Sequence, residues 1–256
     1  MMIKGVIFDF GFTLFYFDNP SVERYYECFK QGLMKSIDFL KEKQIWSDKL
    51  TIEAFLQKFS KKRQYFFRKS IKTKMEFPTS IIFQNVLETL KVEGVIDNLD
   101  NLIDTTYGSL ANIYHSCEED RWIPFAQTKE MLEKLALKDV KVALLSNHPN
   151  HKTIKNIINK YDFSKFFDVI LTSAKFGKRK PNPDIFYFVL DKFGLRNDPS
   201  SVIMCGDEYA DISGAQRTKI QPILFKRKYK FPFEKEIENT DYHKINNISE
   251  ILDYVV

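Results

Sequence analysis

Residues 3–14 read Ile-Lys-Gly-Val-Ile-Phe-Asp-Phe-Gly-Phe-Thr-Leu, and this stretch decides the fold. Its first six residues form a short run rich in β-branched and apolar side chains, which predicts a buried strand over residues 3–8. Asp9 interrupts the run and Gly11 breaks the pattern, as expected for a tight loop. The stretch therefore predicts a strand that delivers a carboxylate into the loop at its carboxyl end.

Strand and helix patterns alternate from about residue 122 onward. Short apolar runs predict four further buried strands, at residues 140–145, 167–172, 201–205 and 221–225. Helical patterns alternate with them at residues 127–137, 152–160, 184–193 and 210–217. This alternation with short loops indicates an α/β fold, a Rossmann-like parallel sheet with helices on both faces. The strand at residues 3–8 is expected to join that sheet.

The region between these two parts has a helical pattern, with apolar residues at three- and four-residue steps. Four helices are predicted: one over residues 22–40, one capped by Ser47, one capped by Thr79 that ends near Gly94, and one from about Leu99 to Tyr114. A small helical bundle inserted after the first strand is the simplest interpretation. We therefore predict a core of residues 1–16 and 119–256 and a helical cap of residues 17–118.

Composition limits the other classes of protein. The 256 residues have a formal net charge of +5 and contain 3 cysteines, an odd number with wide spacing. A disulfide framework or a cysteine-based zinc site is therefore not expected, which favours a reducing, cytoplasmic setting. We find neither a signal-peptide core nor a long uncharged apolar run, so no membrane association is expected. The basic clusters at residues 58–74 and 226–230 are interpreted as solvated surface, and no nucleic-acid partner is expected.

Polar side chains come after four of the predicted strands, at the sheet edge where ligands of parallel sheets bind. They are Asp9 and Thr13, Ser146 and Asn147, Lys180, and Asp207 and Asp211. Carboxylates from different strands supply the hard oxygen ligands that Mg²⁺ prefers, and a hydroxyl and an ammonium group can hold phosphate oxygens. A carboxylate can also attack phosphorus and form an aspartyl-phosphate. The set predicts a magnesium-dependent phosphoryl-transfer site.

These residues lie in four motifs that resemble those of the haloacid dehalogenase (HAD) superfamily. Residues 8–14 resemble the first motif, Asp-x-Asp-x-Thr, and residues 144–147 resemble the second. Residues 180–186 resemble the third motif, and residues 206–211 fit the fourth, Gly-Asp-x-x-x-Asp. All four stand in family order and cover the predicted core, whereas the cap resembles the family only in position and helicity. The resemblance implies a hydrolase of the phosphatase branch that acts on a small phosphorylated metabolite.

The resemblance also implies the metal ligands. Asp9 would be both the nucleophile and a ligand of Mg²⁺. The backbone carbonyl of Gly11 and the side chain of Asp207 would be further ligands. Asp211 would support the metal directly or through water.

The same resemblance implies how the phosphate is held. Ser146 and Asn147 would bind the substrate, and Lys180 would neutralise charge between the nucleophile and the phosphate. Thr13 would help to shape the first loop and line the phosphate site.

One departure from the family pattern concerns the proton donor. Family phosphatases usually have a second Asp two residues after the nucleophile, acting as general acid and base, but this chain has Gly11 there. A glycine keeps the carbonyl but cannot shuttle a proton, which removes help worth roughly 10²–10⁴-fold. His148 and Glu208 are candidate substitutes, and Phe12 stands where glycine is common.

Three functions remain open at this point. The first is a magnesium-dependent phosphomonoesterase. The second is a 2-haloacid dehalogenase-type hydrolase, which uses the same nucleophile without metal but lacks the paired acids of the fourth motif. The third is a non-catalytic member that binds a phosphorylated ligand without turnover, for which Gly11 and Phe12 are the support.

Overall fold

The computed structural model describes residues 2–96, 104–229, 235–237 and 241–255. The chain divides into two compact units. One unit, called the core unit below, combines Met1–Pro20 with Arg121–Val256, and the other, the helical unit, is Ser21–Asp120. The domain boundaries predicted at residues 17 and 118 and the role of the helical unit as a cap stay predictions.

A six-stranded sheet forms the centre of the core unit. Its strands are β1 (Gly5–Phe8), β4 (Lys141–Ser146), β5 (Val169–Thr172), β6 (Val202–Gly206), β7 (Gln221–Phe225) and β8 (His243–Ile245). They lie in the order β5-β4-β1-β6-β7-β8, and each neighbouring pair is parallel. The predicted parallel α/β sheet is thus confirmed, and β8 is a strand that the sequence analysis did not predict.

Both faces of this sheet are covered. Ile7 and Ala143 project into one buried cluster together with apolar side chains of the helix Pro183–Phe193, such as Phe186. The alternating neighbours Phe8 and Leu144 point to the opposite face and are also fully buried. Strands buried on both faces read as continuous apolar runs, which is why the sequence revealed them.

In the part of the core unit that the structure describes, five helices connect the strands or follow them. They are α6 (Thr128–Ala136), α7 (His151–Lys160), α8 (Ser173–Phe176), α9 (Pro183–Phe193) and α10 (Tyr209–Arg217). Asn182 caps α9, and Pro183 occupies its first turn, where a missing N–H costs nothing. A 3₁₀ segment over Ile248–Tyr254 follows β8.

A second, two-stranded sheet lies beside the loop after β1. Its strands β2 (Phe15–Phe17) and β3 (Trp122–Pro124) run antiparallel, with Phe17 opposite Trp122. Three residues are too few to show a period of two, so the sequence pattern contained no sign of this pair. The pairing fixes Trp122 beside the loop that carries Asp9.

The helical unit contains the four predicted helices and one short turn. They are α1 (Val22–Glu42), α2 (Ile52–Thr73), α3 (Thr79–Val92), α4 (Asp104–Tyr114) and α5 (Glu118–Arg121), the last of which ends one residue into the core unit. Two predicted caps are wrong: α2 is capped by Thr51 rather than Ser47, and Pro78 precedes α3, so that Thr79 is its first residue. The part of the fourth predicted helix before residue 104 lies outside the described residues.

Aromatic side chains dominate the interior of the helical unit. Phe59 packs against Phe83 at 4.7 Å between ring centroids and against Tyr114 at 5.1 Å. A Cβ atom at Gly32 would lie 1.9 Å from the carbonyl oxygen of Tyr114, so the close approach of α1 and α4 requires glycine there. Such ring pairs contribute beyond the area they bury, by about 0.5–1.5 kcal/mol each.

The cysteines correct one prediction. Cys28 on α1 and Cys117, between α4 and α5, form a disulfide across a sequence separation of 89 residues. The expectation that no disulfide forms is therefore wrong: the odd count leaves only Cys205 free among the described residues. Disulfides persist mainly in oxidising compartments, so the pairing does not favour the predicted reducing setting.

Length and apolar character decide whether a helix can cross a bilayer. Across the described ranges, none of the helices combines the two to the extent that a membrane span needs.

Candidate active site

The loop after β1 brings Asp9 to the carboxyl edge of the sheet. The backbone N–H of Asp9 still donates to the carbonyl of Cys205 on β6, at 2.9 Å, so this residue is held by the sheet ladder. The chain then turns back on itself: the N–H of Leu14 donates to the carbonyl of Phe10 at 3.1 Å. Phe12 adopts a left-handed φ of 57°, a conformation that favours glycine and costs a side chain some strain. The Asp9 side chain therefore projects from a rigid turn.

Lys180 connects Asp9 with the start of α10. Its Nζ lies 2.6 Å from Asp9 Oδ1 and 2.6 Å from Asp211 Oδ1, and it donates to the carbonyl of Leu145 at 2.8 Å. The ammonium group is buried. Burial alone lowers the pKa of a lysine, but the carboxylates of Asp211 and Asp9 outweigh it and hold the pKa of Lys180 above its ordinary value. Lys180 is therefore a permanent cation inside this site.

Asn147 positions Lys180 rather than only facing the solvent. Its Oδ1 accepts a hydrogen bond from the Lys180 N–H at 2.8 Å, and its Nδ2 donates to the Lys180 carbonyl at 3.0 Å. Ser146, the last residue of β4, is buried and pairs in register with Thr172. Since Phe8 lies beside Leu144 in the sheet, Ser146 reaches the same edge as Asp9.

The loop after β6 supplies two more carboxylates. Asp207 Oδ1 accepts a hydrogen bond from the Thr13 hydroxyl at 3.0 Å, so Thr13 orients this carboxylate. Asp211 lies in the first turn of α10, where its side chain accepts from the N–H of Glu208 and completes a capping box. A Cβ atom at Gly206 would lie 2.3 Å from the Asp211 side chain, so only glycine permits this approach.

The three carboxylates form a group that fits a divalent cation. One oxygen each from Asp9, Asp207 and Asp211 lies within 4.8 Å of the others, and the side chains of Asp207 and Asp211 are buried while that of Asp9 is partly exposed. Within the described ranges, no donor makes a well-aligned hydrogen bond to Asp207 Oδ2 or Asp211 Oδ1, although a cation lies within ion-pair distance of each. Hard oxygen donors of this kind suit Mg²⁺.

Burial also shifts the protonation of these carboxylates. It raises the pKa of Asp207 well above its ordinary value, with Glu208 and Asp9 adding to the effect and Arg227 opposing it. It raises the pKa of Asp211 as well, against the opposing effect of Lys180. Carboxylates that are destabilised in this way gain the most from a cation placed between them.

Trp122 explains why residue 11 is glycine. A Cβ atom at Gly11 would lie 2.9 Å from Cη2 of the indole, closer than side-chain carbons pack. The indole is itself confined, because Phe10, Phe12 and Phe17 pack against it edge-on at 5.2, 5.5 and 5.2 Å. The position of the usual acid/base side chain is therefore filled by an aromatic ring.

The two proposed substitutes for that side chain both have local structural roles. His148 Nδ1 lies 2.7 Å from the carbonyl oxygen and 3.1 Å from the N–H of Asn150, within its own turn. Glu208 precedes α10, and its side chain caps the helix. His148 is thus held within its own turn, whereas burial and the carboxylates of Asp211 and Asp9 raise the pKa of Glu208 to about 7.

Arg227 is the residue at this site that the sequence analysis missed. Its Nη1 lies 2.6 Å from Asp207 Oδ2, its side chain is 4% exposed, and its guanidinium lies 5.2 Å from the centre of the Phe12 ring. Arg227 is the second residue after β7, and its place beyond the end of the fifth predicted strand is the signal that could have identified it. The basic cluster at residues 226–230 is thus partly a buried cation at the site rather than only solvated surface.

Comparison with known proteins supports the resemblance drawn from the motifs. A sequence model of the haloacid dehalogenase-like hydrolase family matches residues 45–225. That stretch includes the second, third and fourth motifs and begins after the Asp9 loop.

Two curated relatives carry phosphatase names. A phosphoglycolate phosphatase of Aliivibrio fischeri is 28% identical over 123 residues, which is 48% of this chain and 53% of that protein. A glyceraldehyde 3-phosphate phosphatase of Methanocaldococcus jannaschii is 27% identical over 168 residues, 64% of this chain and 69% of that protein. The matched part thus spans between about half and two thirds of these relatives.

Among solved structures, a 2-haloacid dehalogenase from Pseudomonas syringae pv. Tomato DC3000 superposes with a TM-score of 0.64. The alignment covers 99% of this chain and 98% of that one at 18% identity. At that identity, the likeness shows a shared fold.

Proposed function

Since the chain belongs to the haloacid dehalogenase-like hydrolase family, we propose that it is a magnesium-dependent phosphomonoesterase acting on a small phosphorylated metabolite. The observation that carries the proposal is the meeting of Asp9, Lys180, Asp207 and Asp211 at one sheet edge. The phosphatase names of the two curated relatives support the same class of reaction.

The metal would be held by residues already close together. Asp9, Asp207 and the carbonyl of Gly11 would be ligands, and Asp211 would support them directly or through water. When bound, Mg²⁺ supplies charge stabilisation for the phosphate oxygens during displacement. The buried carboxylate oxygens described above would give this set its affinity for a small hard cation.

Asp9 would act as the nucleophile. One of its carboxylate oxygens forms a bond to phosphorus while the bond between phosphorus and the leaving-group oxygen breaks, giving an aspartyl-phosphate and an alkoxide. Water then attacks the phosphorus, releases inorganic phosphate and regenerates Asp9. Lys180, with the Ser146 hydroxyl, would balance the charge on the phosphate oxygens through both steps.

The first step would proceed without a side-chain proton donor at residue 11. The leaving oxygen must then take its proton from water, which favours substrates whose leaving groups are acidic. We expect aryl phosphates to react much faster than alkyl phosphates. Loss of the acid/base group would lower the rate by roughly 10²–10⁴-fold and would not abolish activity.

A dehalogenase reaction is the second candidate, because it uses the same nucleophile. The fold likeness to a 2-haloacid dehalogenase does not separate the two reactions. The buried pair Asp207 and Asp211 favours the phosphatase, because with Asp9 they outnumber the cations Lys180 and Arg227, and a metal-free displacement of halide would leave that excess negative charge uncompensated.

The test is phosphate release from a panel of aryl and alkyl phosphomonoesters, with Mg²⁺ and with EDTA. Asp9→Asn is expected to abolish release, whereas Asp253→Asn, which changes an exposed carboxylate far along the chain, is the matched control. Halide release from 2-haloacids is measured in parallel. Full activity in Asp9→Asn, or halide release without phosphate release, would overturn the proposal.

The predicted cytoplasmic location can be examined in solution through the oxidation state of the cysteines. A small phosphorylated metabolite as partner would agree with the predicted cytoplasmic location. The Cys28–Cys117 disulfide argues the other way, and a free-thiol count on protein purified under alkylating conditions tests whether that disulfide forms.

A further inference from the structure

We propose that Arg227 is a built-in cation that competes with Mg²⁺ for Asp207 and thereby sets the affinity of the site for the metal. The inference rests on the proposed function, because it concerns the same metal site. The inference goes beyond the proposed function because it assigns a role to Arg227, which lies outside the four motifs, and to Phe12, the unusual aromatic residue in the first motif.

The two oxygens of the Asp207 carboxylate have different partners. Asp207 Oδ1 accepts a hydrogen bond from Thr13, whereas Oδ2 accepts no well-aligned hydrogen bond from the described residues and is therefore the oxygen more open to a cation. Arg227 Nη1 already lies 2.6 Å from that Oδ2, and both side chains are almost fully buried. An incoming Mg²⁺ must therefore share the oxygen with the guanidinium or displace it.

Aromatic rings hold the guanidinium of Arg227 in place. Its guanidinium lies over the Phe12 ring, and that ring stacks in turn with Tyr229 at 6.1 Å between centroids. Phe12 keeps this place despite its left-handed backbone, which a glycine would adopt without strain. An aromatic ring at this position thus has a use that offsets its strain, since cation–π contact holds the guanidinium in place.

The acidic side chains at this site outnumber the cations that face them. Among the described residues of the core unit, two cations, Lys180 and Arg227, form ion pairs with Asp9, Asp207, Glu208 and Asp211. Lys180 is bound to Asp9 and Asp211, so Arg227 is the cation nearest to Asp207. Removing its charge leaves one more uncompensated negative charge for the metal.

The size of the effect can be worked out from Coulomb repulsion. A guanidinium about 5 Å from a divalent ion opposes its binding by roughly tenfold even at the dielectric constant of water, and by more in a buried site. We therefore expect Arg227→Met to bind Mg²⁺ at least about tenfold more tightly than the wild type. Phe12→Gly, which removes the platform but keeps the charge, is expected to raise the affinity by a smaller factor.

The test measures Mg²⁺ binding by isothermal titration calorimetry on the whole protein without substrate. The variants are Arg227→Met, Arg227→Lys and Phe12→Gly, with Arg196→Met as control because Arg196 pairs with Asp191 on the surface. Arg227→Lys keeps a positive charge and is expected to stay closer to the wild type than Arg227→Met. Thermal unfolding with and without Mg²⁺ gives a second readout: Arg227→Met is expected to melt below the wild type in EDTA and to gain more from the metal.

The outcomes separate this proposal from the proposed function. Mg²⁺ binding by the wild type with an equal or weaker affinity in Arg227→Met overturns the role of Arg227 and leaves the metal site intact. Weakened binding of inorganic phosphate in Arg227→Met, with unchanged affinity for Mg²⁺, would instead assign Arg227 to the substrate. Absence of Mg²⁺ binding in wild type and variant alike overturns the metal site and this proposal together.

Discussion

The contact between Gly11 and Trp122 gives a prediction that can be worked out from the structure. In Gly11→Ala the new methyl group would lie 2.9 Å from Cη2 of the indole and 3.4 Å from Cζ3. Carbon atoms pack at about 3.5–4.0 Å, so one of the two groups must move. Trp122 is held by three phenylalanine rings and by the β2–β3 pair, and the Asp9 turn is held by the sheet.

Because neither side can give way freely, overpacking should lower the free energy of unfolding of Gly11→Ala by about 1–3 kcal/mol. Trp122→Phe removes the outer part of the indole and should itself cost roughly 2 kcal/mol by leaving a cavity. In the double variant the methyl group occupies that cavity. We expect the double variant to be no less stable than Trp122→Phe alone, which is a coupling energy of about 1–3 kcal/mol.

The assay is urea denaturation followed by far-UV circular dichroism, since the substitutions change the fluorescence of Trp122. Gly108→Ala is the matched control: nothing lies within 4 Å of its new methyl group, and it lies inside α4. It should be neutral or stabilise by up to about 1 kcal/mol. Destabilisations by Gly11→Ala and Trp122→Phe that simply add, within about 0.5 kcal/mol, would refute the steric account.

Three further predictions concern buried charge, protonation and the disulfide. Lys180→Met leaves Asp9 and Asp211 without their shared cation and should lower the free energy of unfolding, measured by urea titration in EDTA, by about 3–5 kcal/mol. The control is Lys178→Met, on the surface, which should lower it by under about 1 kcal/mol in the same titration. Burial, together with the neighbouring lysines, lowers the pKa of His151 to about 4. As the pH falls from 6.5, the unfolded chain therefore takes up a proton before the folded one does. The free energy of unfolding should fall by roughly 1 kcal/mol after allowance for solvent screening. An NMR titration of His151 that gives its ordinary pKa, or a His151→Gln variant that loses stability equally over that range, would contradict this. Cys28→Ser opens a disulfide that closes a long loop, and should lower the stability of the helical unit by about 2–4 kcal/mol, while adding a reductant should leave the variant unchanged and bring the wild type down to it.

Local patterns were sufficient to predict five of the six strands of the parallel sheet and the polar residues that follow four of them. A strand buried on both faces is apolar throughout, and residues after parallel strands share one edge, so Asp9, Ser146, Lys180 and Asp207 could be grouped without coordinates. The network that joins Lys180 to Asp9 and Asp211 is a direct consequence of that topology.

The features that the sequence did not reveal depend on tertiary contacts between distant residues. The indole that fills the space above Gly11 comes from residue 122, through a sheet pair too short to leave a pattern. The partner of Cys28 lies 89 residues away, and an odd number of cysteines says nothing about which two are close. The cap of α2 is Thr51 rather than Ser47, because the Thr51 hydroxyl accepts from the N–H of Ala54 while the Ser47 hydroxyl accepts from the N–H of Lys49 within its own turn.

The central claim is that Asp9 becomes phosphorylated, and direct detection of the phosphoenzyme tests it most directly. The protein is mixed with an aryl phosphate and Mg²⁺, quenched in acid, digested with trypsin and analysed by mass spectrometry. The peptide between Lys4 and Arg24 contains both Asp9 and Asp18, so Asp18→Asn is the internal control. We predict one added phosphoryl group at Asp9 in the wild type and in Asp18→Asn, and none in Asp9→Asn. Phosphate release in the wild type without any phosphoryl group at Asp9, or a phosphoryl group that persists in Asp9→Asn, would contradict the account.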